Sequence, residues 1–310
     1  MVVIFCLFVA IVYFSFQLPD DSNLKSYKPD VMTRIHDSNG QLVKEFSREY
    51  RIFVPIENIP ESLKNGFISA EDKNFYNHIG IDPTGILRAL IRNTYYFFSD
   101  KRPEGASTIT QQVAKNFLLN DELSLSRKVK EALLAIKIDA TLSKSRILEL
   151  YLNQIYLGYG TYGVAAASNR YFKKSLEELD FSEVSFLAAL PKAPSRYNPK
   201  KNYKKSFNRR NWVLKRMFIN NYITEEEYKT SIAKNIQIAS NEMKPIFSSD
   251  YYLEEIRKQI IKTYDEDFLY AGGLSVRSSL DISTQSIADV ALKSGLLEYC
   301  LLYTSPSPRD

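Results

Sequence analysis

Hydrophobic and polar positions change pattern several times along the chain, and each change predicts an element. The opening MVVIFCLFVAIVYFSFQL is almost wholly apolar, with no charge before Asp20. About 20 helical residues span a hydrocarbon layer roughly 30 Å thick, so residues 1–19 are expected to form a transmembrane anchor. The segment lacks the basic start and small-residue cleavage site of a signal peptide. Residues 31–56 then alternate apolar and polar around Asn39-Gly40, which predicts a small β-hairpin within a stalk over 20–54. From Asn58 to about Thr230 the apolar positions recur at the three- and four-residue steps of helices.

Asn58, with Glu61 three positions on, reads as a helix start, and Leu63, Phe67, Ile68 and Ala70 form the inward face. Val129, Ala132, Leu133 and Ile136, followed by Ile147, Leu148, Tyr151, Leu152 and Ile155, predict two core-facing helices broken near Ser143. Asp180 with Glu183, and TEEEY from Thr224, begin two more. The mainly α domain is expected over 55–230. After Phe247 a helix, a Gly-Gly turn, the short strand LSVRSSL and another helix suggest the opening of a second domain within 231–299. Residues 300–310, CLLYTSPSPRD, do not continue the preceding pattern and are expected to be a non-native tail.

Composition narrows the class. Hydrophobic residues make up 45% and charged residues 25%, the balance of a folded chain. A formal net charge of +5 favours an anionic partner without requiring one. Cys6, Cys300, His36 and His78 are too few for a disulfide framework or a zinc site. KKNYKKSFNRR could suit nucleic acid, but no nucleic-acid partner is expected of a chain with a membrane anchor.

Several stretches could carry chemistry. In SAEDKNFYNHIGID, Glu71 and Asp72 precede Phe75 and His78. An apolar setting raises a carboxylate's pKa and makes it a competent base, although a solvated helix end fits the spacing as well. GASTITQQVAKNFL offers the hydroxyls of Ser107, Thr108 and Thr110, the amides of Gln111 and Gln112, and Lys115 at a helix start. Such groups suit a phosphate or sugar, or a polar surface helix. In SRKVKEALLA, Glu131 follows Arg127, Lys128 and Lys130. Its plain reading is pairing with Arg127 four positions before, and its sharper one is a second carboxylate for glycosyl chemistry. Lys144 and Arg146 stand near Tyr151 and Asn153 on a helix that reads mostly as core. The arginines and lysines of NRRNWVLKRM are expected to be solvated.

The order of these blocks is specific. EDKNFYNHIGID, GASTITQQVAKN, RKVKEALLA, KSRILELYLNQIYLGYGTYGVAAASNRYF and RRNWVL resemble the five signature blocks of the glycosyltransferase family 51 domain of class A penicillin-binding proteins. GGLSVRSSLDISTQSIADVAL resembles the entry to that family's transpeptidase domain, which the chain is expected to reach without its Ser-x-x-Lys box. YFKKS departs from the family, which often has Gly after the aromatic pair.

The resemblance implies a mainly α, lysozyme-like glycosyltransferase domain that polymerises lipid II into β-1,4 glycan with inversion and release of undecaprenyl pyrophosphate. It assigns Glu71 as base, Glu131 as second carboxylate, and Lys115 and Arg127 as pyrophosphate contacts. Arg88, Ser107, Thr108, Gln111, Gln112, Asn116, Lys144 and Asn153 match other cleft positions, while Phe75 and His78 look like packing residues that fix the loop. A Mg²⁺ or Mn²⁺ ion is expected near the pyrophosphate, at residues the sequence does not identify.

The implied partners are lipid II, the growing glycan, the lipid bilayer and other cell-wall synthesis proteins. The implied location is the bacterial inner membrane, with the domain on its outer, periplasmic side. SDKRPEG is expected to be a mobile loop over the cleft, and ILRALIRNTYYFF a segment dipping into the outer leaflet. Two rival readings are a muralytic glycosidase, including a lytic transglycosylase, and a non-catalytic anchored scaffold. The first has no need of the cationic pyrophosphate contacts, and the second would tolerate loss of Glu71 or Glu131.

Overall fold

A computed structural model describes residues 13–16, 18, 19, 24, 32–47, 49–97, 105–118, 124–239 and 250–304. Most of the expected anchor, the stretch 98–104 and residues 305–310 lie outside these. Among the described residues no helix is long and apolar enough to cross a membrane. The chain is mainly helical and divides into two compact units, one of Met1–Lys28 with Ile52–Ala239, the other of Pro29–Arg51 with Ser240–Asp310.

The first unit carries the helices α1 Glu61–Glu71, α2 Pro83–Phe97, α3 Ile109–Leu118, α4 Leu125–Thr141, α5 Lys144–Gln154, α6 Val164–Phe172, α7 Phe181–Ala189, α8 Pro199–Ile219 and α9 Glu225–Ala233. Their starts follow local chemistry. Ser143 accepts the Arg146 N–H at 3.2 Å and separates α4 from α5 at the expected break. Asp180 with Glu183, and Thr224 with Glu227, form capping boxes. At α1 the expected Asn58 cap is replaced: Ile56–Asn58 is a 3-10 turn, and α1 begins after Pro60 with no side-chain cap. Pro60 presets the backbone for entry, and Glu61 sits favourably at the positive helix end.

Two packed groups of helices build the core. Helix α7, buried on nearly every face, lies against α1 and α8, while α3 lies against α4 and α5. Phe67, Phe75, Ile109, Leu134, Tyr151 and Leu187 are all buried within one apolar cluster. Each such side chain contributes about 1.5–3 kcal/mol relative to exposure.

Asn153 joins α5 to the chain before α1. Its Oδ1 accepts the Val54 N–H and its Nδ2 donates to the Val54 carbonyl, both at 2.9 Å. One turn away, Glu149 accepts the Ile56 N–H at 2.9 Å.

In the second unit the hairpin Thr33–His36 and Leu42–Phe46 forms as expected, but it is not an isolated stalk element. Ser275–Arg277 adds as a third strand, parallel to Thr33–His36, with Ile35 opposite Val276. Three further helices, α10 Asp250–Tyr264, α11 Glu266–Ala271 and α12 Ile282–Thr304, complete the described residues there. Ile35, Leu253, Ile260 and Leu269 form a separate small core. The hairpin thus belongs structurally with 240–310, a grouping that differs from the expected 20–54 and 231–299 division.

Candidate active site

Glu71 is the last residue of α1, and a tight loop follows it. Asp72, next in the chain, is buried. Its Oδ2 accepts from His78 Nε2 at 2.8 Å and from the Ile109 N–H, the first of α3, at 3.0 Å. His78 Nδ1 in turn accepts the Gly80 N–H at 3.1 Å, so the imidazole proton lies on Nε2. One carboxylate therefore fixes both the loop and the N-terminus of α3, where the helix dipole favours negative charge.

Gly80 lets this loop lie flat on α4. Its φ is +88°, and a Cβ there would stand 2.2 Å from the Ala135 carbonyl oxygen. Thr108 closes the other side. Its Oγ1 donates to the Gly80 carbonyl at 2.6 Å and accepts the Gln111 N–H at 3.1 Å. Gln111 Oε1 accepts the Thr108 N–H at 3.0 Å, completing a reciprocal cap at the start of α3.

That cap presents the next residue to the base. Gln112 Nε2 donates to Glu71 Oε2 at 2.9 Å. Burial is the largest influence on the Glu71 carboxyl and pushes its pKa above the ordinary value. The Gln112 hydrogen bond and the charges of Arg209 and Lys192 oppose this, while Asp72 reinforces it. The negative end of α1 acts in the same direction as burial. A carboxyl raised in this way is a stronger base than an ordinary one.

Glu131, on α4, is buried. Lys128 engages the carboxylate, and Lys128 Nζ also donates to Ser107 Oγ at 2.8 Å. Three positions suffice because this residue lies over the preceding turn on the same helical face. Arg127 is partly buried, and its N–H is capped by Ser124 at 3.1 Å. Lys115 and Asn116 at the end of α3, and Arg88 on α2, are exposed.

Four expected cleft contacts have other employment. Thr108 and Gln111 are buried and cap α3. Asn153 holds Val54. Lys144 lies 5.0 Å over the Phe75 ring, donates to the His78 carbonyl at 2.6 Å and pairs with Asp139 at 2.5 Å. Each sits one step behind the surface, where a polar side chain must find partners in the protein. Phe75 and His78 do frame the loop, edge to face at 6.2 Å.

The arginines of α8 depart furthest from the solvated expectation. Arg210 is fully buried and donates to Ser182 Oγ at 2.6 Å and to the Lys234 carbonyl at 2.7 Å. It falls in phase with the buried Val213, Leu214 and Met217, a helical spacing that could have revealed it. Arg209 lies within electrostatic reach of Glu71, and burial disfavours its charge. Lys128, paired with Glu131, and Lys192 and Arg209, whose charges act on Glu71, are groups that the sequence reading left unassigned.

Among the described residues no group of three or more His, Cys, Asp or Glu stands close enough to hold a metal. Glu131 is already engaged by Lys128, so the side chains present do not fit a protein cage for a cation.

The helical domain thus sets one carboxyl, raised by burial, against an amide and a second against a lysine. Residues 39–218 match the family described as transglycosylase, and the chain belongs to that family. Among curated proteins it is similar to penicillin-binding protein 1A of Rickettsia typhi, 48% identical over 291 residues, which cover 93% of this chain and 37% of that protein. It is also similar to penicillin-binding protein 1A of Escherichia coli K12, 39% identical over 298 residues, covering 96% of this chain and 35% of that protein. A crystal structure of penicillin-binding protein 1A from Haemophilus influenzae aligns with a TM-score of 0.53 and 28% identity, over 88% of this chain and 30% of that one. The chain thus spans little more than a third of the curated relatives it matches.

Proposed function

We propose that this chain is a peptidoglycan glycosyltransferase on a lysozyme-like fold, polymerising lipid II into β-1,4 glycan for the bacterial cell wall. The observation that carries the reading is Glu71, made basic by burial yet held by Gln112, in a chain of the transglycosylase family. Glu71 takes the proton from the 4-hydroxyl of the acceptor GlcNAc as that oxygen bonds C1 of the donor MurNAc from the opposite face. The C1–oxygen bond to the pyrophosphate breaks, and undecaprenyl pyrophosphate leaves with the electron pair. Lys115, Arg127 and Arg88 supply positive charge to the leaving group, with Asn116 and Ser107 beside them. Glu131, engaged by Lys128, is the second carboxylate. A divalent cation would come with the substrate phosphates, held by their oxygens and water.

Access to a polyprenyl substrate supports placing the domain on the outer face of the inner membrane, behind an anchor over 1–19. Ile86, Leu87, Leu90, Ile91 and Tyr95 of α2 are exposed, a face suited to the bilayer boundary. Other cell-wall synthesis proteins would act alongside it.

Purified protein given lipid II and Mg²⁺ should make uncrosslinked glycan, and Glu71→Gln should stop this while leaving the circular dichroism spectrum unchanged. Polymerisation by Glu71→Gln at the normal rate would remove the assigned base. Shortening of preformed glycan without consumption of lipid II would establish the glycosidase reading instead.

A further inference from the structure

We propose that Lys144 is a positioning residue for Glu71: its ammonium ties the loop Asp72–Gly80 to α4 and α5, and so keeps the carboxylate and its Gln112 partner in register. The inference rests on Glu71 being the base proposed above. Lys144 is the first residue of α5, directly after the Ser143 cap. From there Nζ donates to the His78 carbonyl at 2.6 Å and to Asp139 Oδ1, near the end of α4, at 2.5 Å. It also lies 5.0 Å over the Phe75 ring. An ammonium has three donors and no acceptor. Two of them are spent on the loop and on α4, and an aromatic face takes up a further side of the charge. Little of the group remains for a substrate phosphate, the contact that the family resemblance implied.

A continuous path of contacts runs from this ammonium to the base. His78, whose carbonyl Lys144 holds, donates through Nε2 to Asp72 Oδ2 at 2.8 Å. The same oxygen accepts the Ile109 N–H at 3.0 Å and so sets the start of α3. One turn on, Gln112 donates to Glu71 Oε2 at 2.9 Å, and Glu71 is joined to Asp72 by the chain itself. The side chains of Lys144 and Asp139 are only 22% and 9% exposed, so water and salt screen the pair little. Without the ammonium, the Asp139 carboxylate and the His78 carbonyl lose their donor, and the loop loses its hold on α4 and α5. A misplacement of about 1 Å can cost on the order of a hundredfold in rate, because a base must stay within hydrogen-bond reach of the proton it takes.

The test uses the full chain, with rates expressed per folded protein from circular dichroism. Lys144→Met keeps the stem and removes the donors. In lipid II polymerisation its kcat should fall at least about tenfold, with KM within about threefold of the wild type. Lys144→Arg, which can donate to both oxygens, should recover most of that loss, and Asp139→Asn should lower kcat in the same direction. Without substrate, the imidazole N–H proton of His78, one of two histidines in the chain, should shift or broaden in nuclear magnetic resonance spectra of Lys144→Met and return in Lys144→Arg. A raised KM at unchanged kcat would overturn the inference and make Lys144 a substrate contact. So would Lys144→Arg no more active than Lys144→Met, or a His78 proton unmoved in Lys144→Met, while Glu71→Gln stays inactive; these results leave the base assignment intact. Should Lys144→Met fail to fold, a wild-type kcat in Asp139→Asn overturns the inference and a lowered one at unchanged KM supports it. Polymerisation by Glu71→Gln would remove the base itself, and the inference with it.

Discussion

Gln112 and Glu71 stand 41 positions apart in the chain, and the amide of one meets the carboxylate of the other at 2.9 Å. A residue on the first turns of α3 thereby completes the end of α1. The loop from Asp72 to Gly80 is tied to the start of α3 through Asp72 with Ile109 and Gly80 with Thr108.

Gln112 favours the ionised form of Glu71, so removing its amide should raise the pH at which the base becomes competent. Gln112→Leu is expected to shift the acid limb of the polymerisation profile upward. A hydrogen bond to a charged group is worth about 1.5–3 kcal/mol, so activity at neutral pH should fall on the order of tenfold. A pH profile of initial rates checks this, and an unmoved limb would show the bond to be incidental.

Asp72 serves two elements at once, and its loss strands His78 and the Ile109 N–H in the core. Asp72→Ala should destabilise the domain by about 3 kcal/mol in urea unfolding, because buried donors are left without partners. Activity should fall with it, through the displaced α3.

The same burial that makes Glu71 a base makes it costly to the fold. Its folded pKa is raised, so the native state binds that proton more tightly than the unfolded chain does. The resulting stabilisation is present below the unfolded value, about 4.3, and is lost as pH rises through the folded one. Glu71→Gln should therefore unfold at higher urea than the wild type at about pH 8, and the difference should shrink toward about pH 4. A constant difference across that range would contradict a raised carboxyl.

Gly80 combines a positive φ with backbone contact to α4, so any side chain both strains the turn and strikes Ala135. Gly80→Ala is expected to cost at least about 2 kcal/mol, read as a lowered urea midpoint. Because Thr108 bonds the Gly80 carbonyl, the polymerisation rate should fall as well.

Local chemistry that acts within one turn was legible in the sequence at most positions, the Asn58 cap being the exception. The break at Ser143, the capping boxes at Asp180 and Thr224, and the hairpin at Asn39-Gly40 depend only on neighbours a few positions apart, and all formed. The ordered blocks also carried the family and the candidate base. Partners that meet through packing were decided by the tertiary structure. Lys128 reaches Glu131, Asn153 binds Val54, and Arg210 is buried despite its charge. The strand Ser275–Arg277 likewise pairs with a hairpin more than two hundred residues earlier. A sequence specifies which groups need partners, but a buried polar group takes whichever partner the packed helices bring within about 3 Å, and only the fold determines that distance.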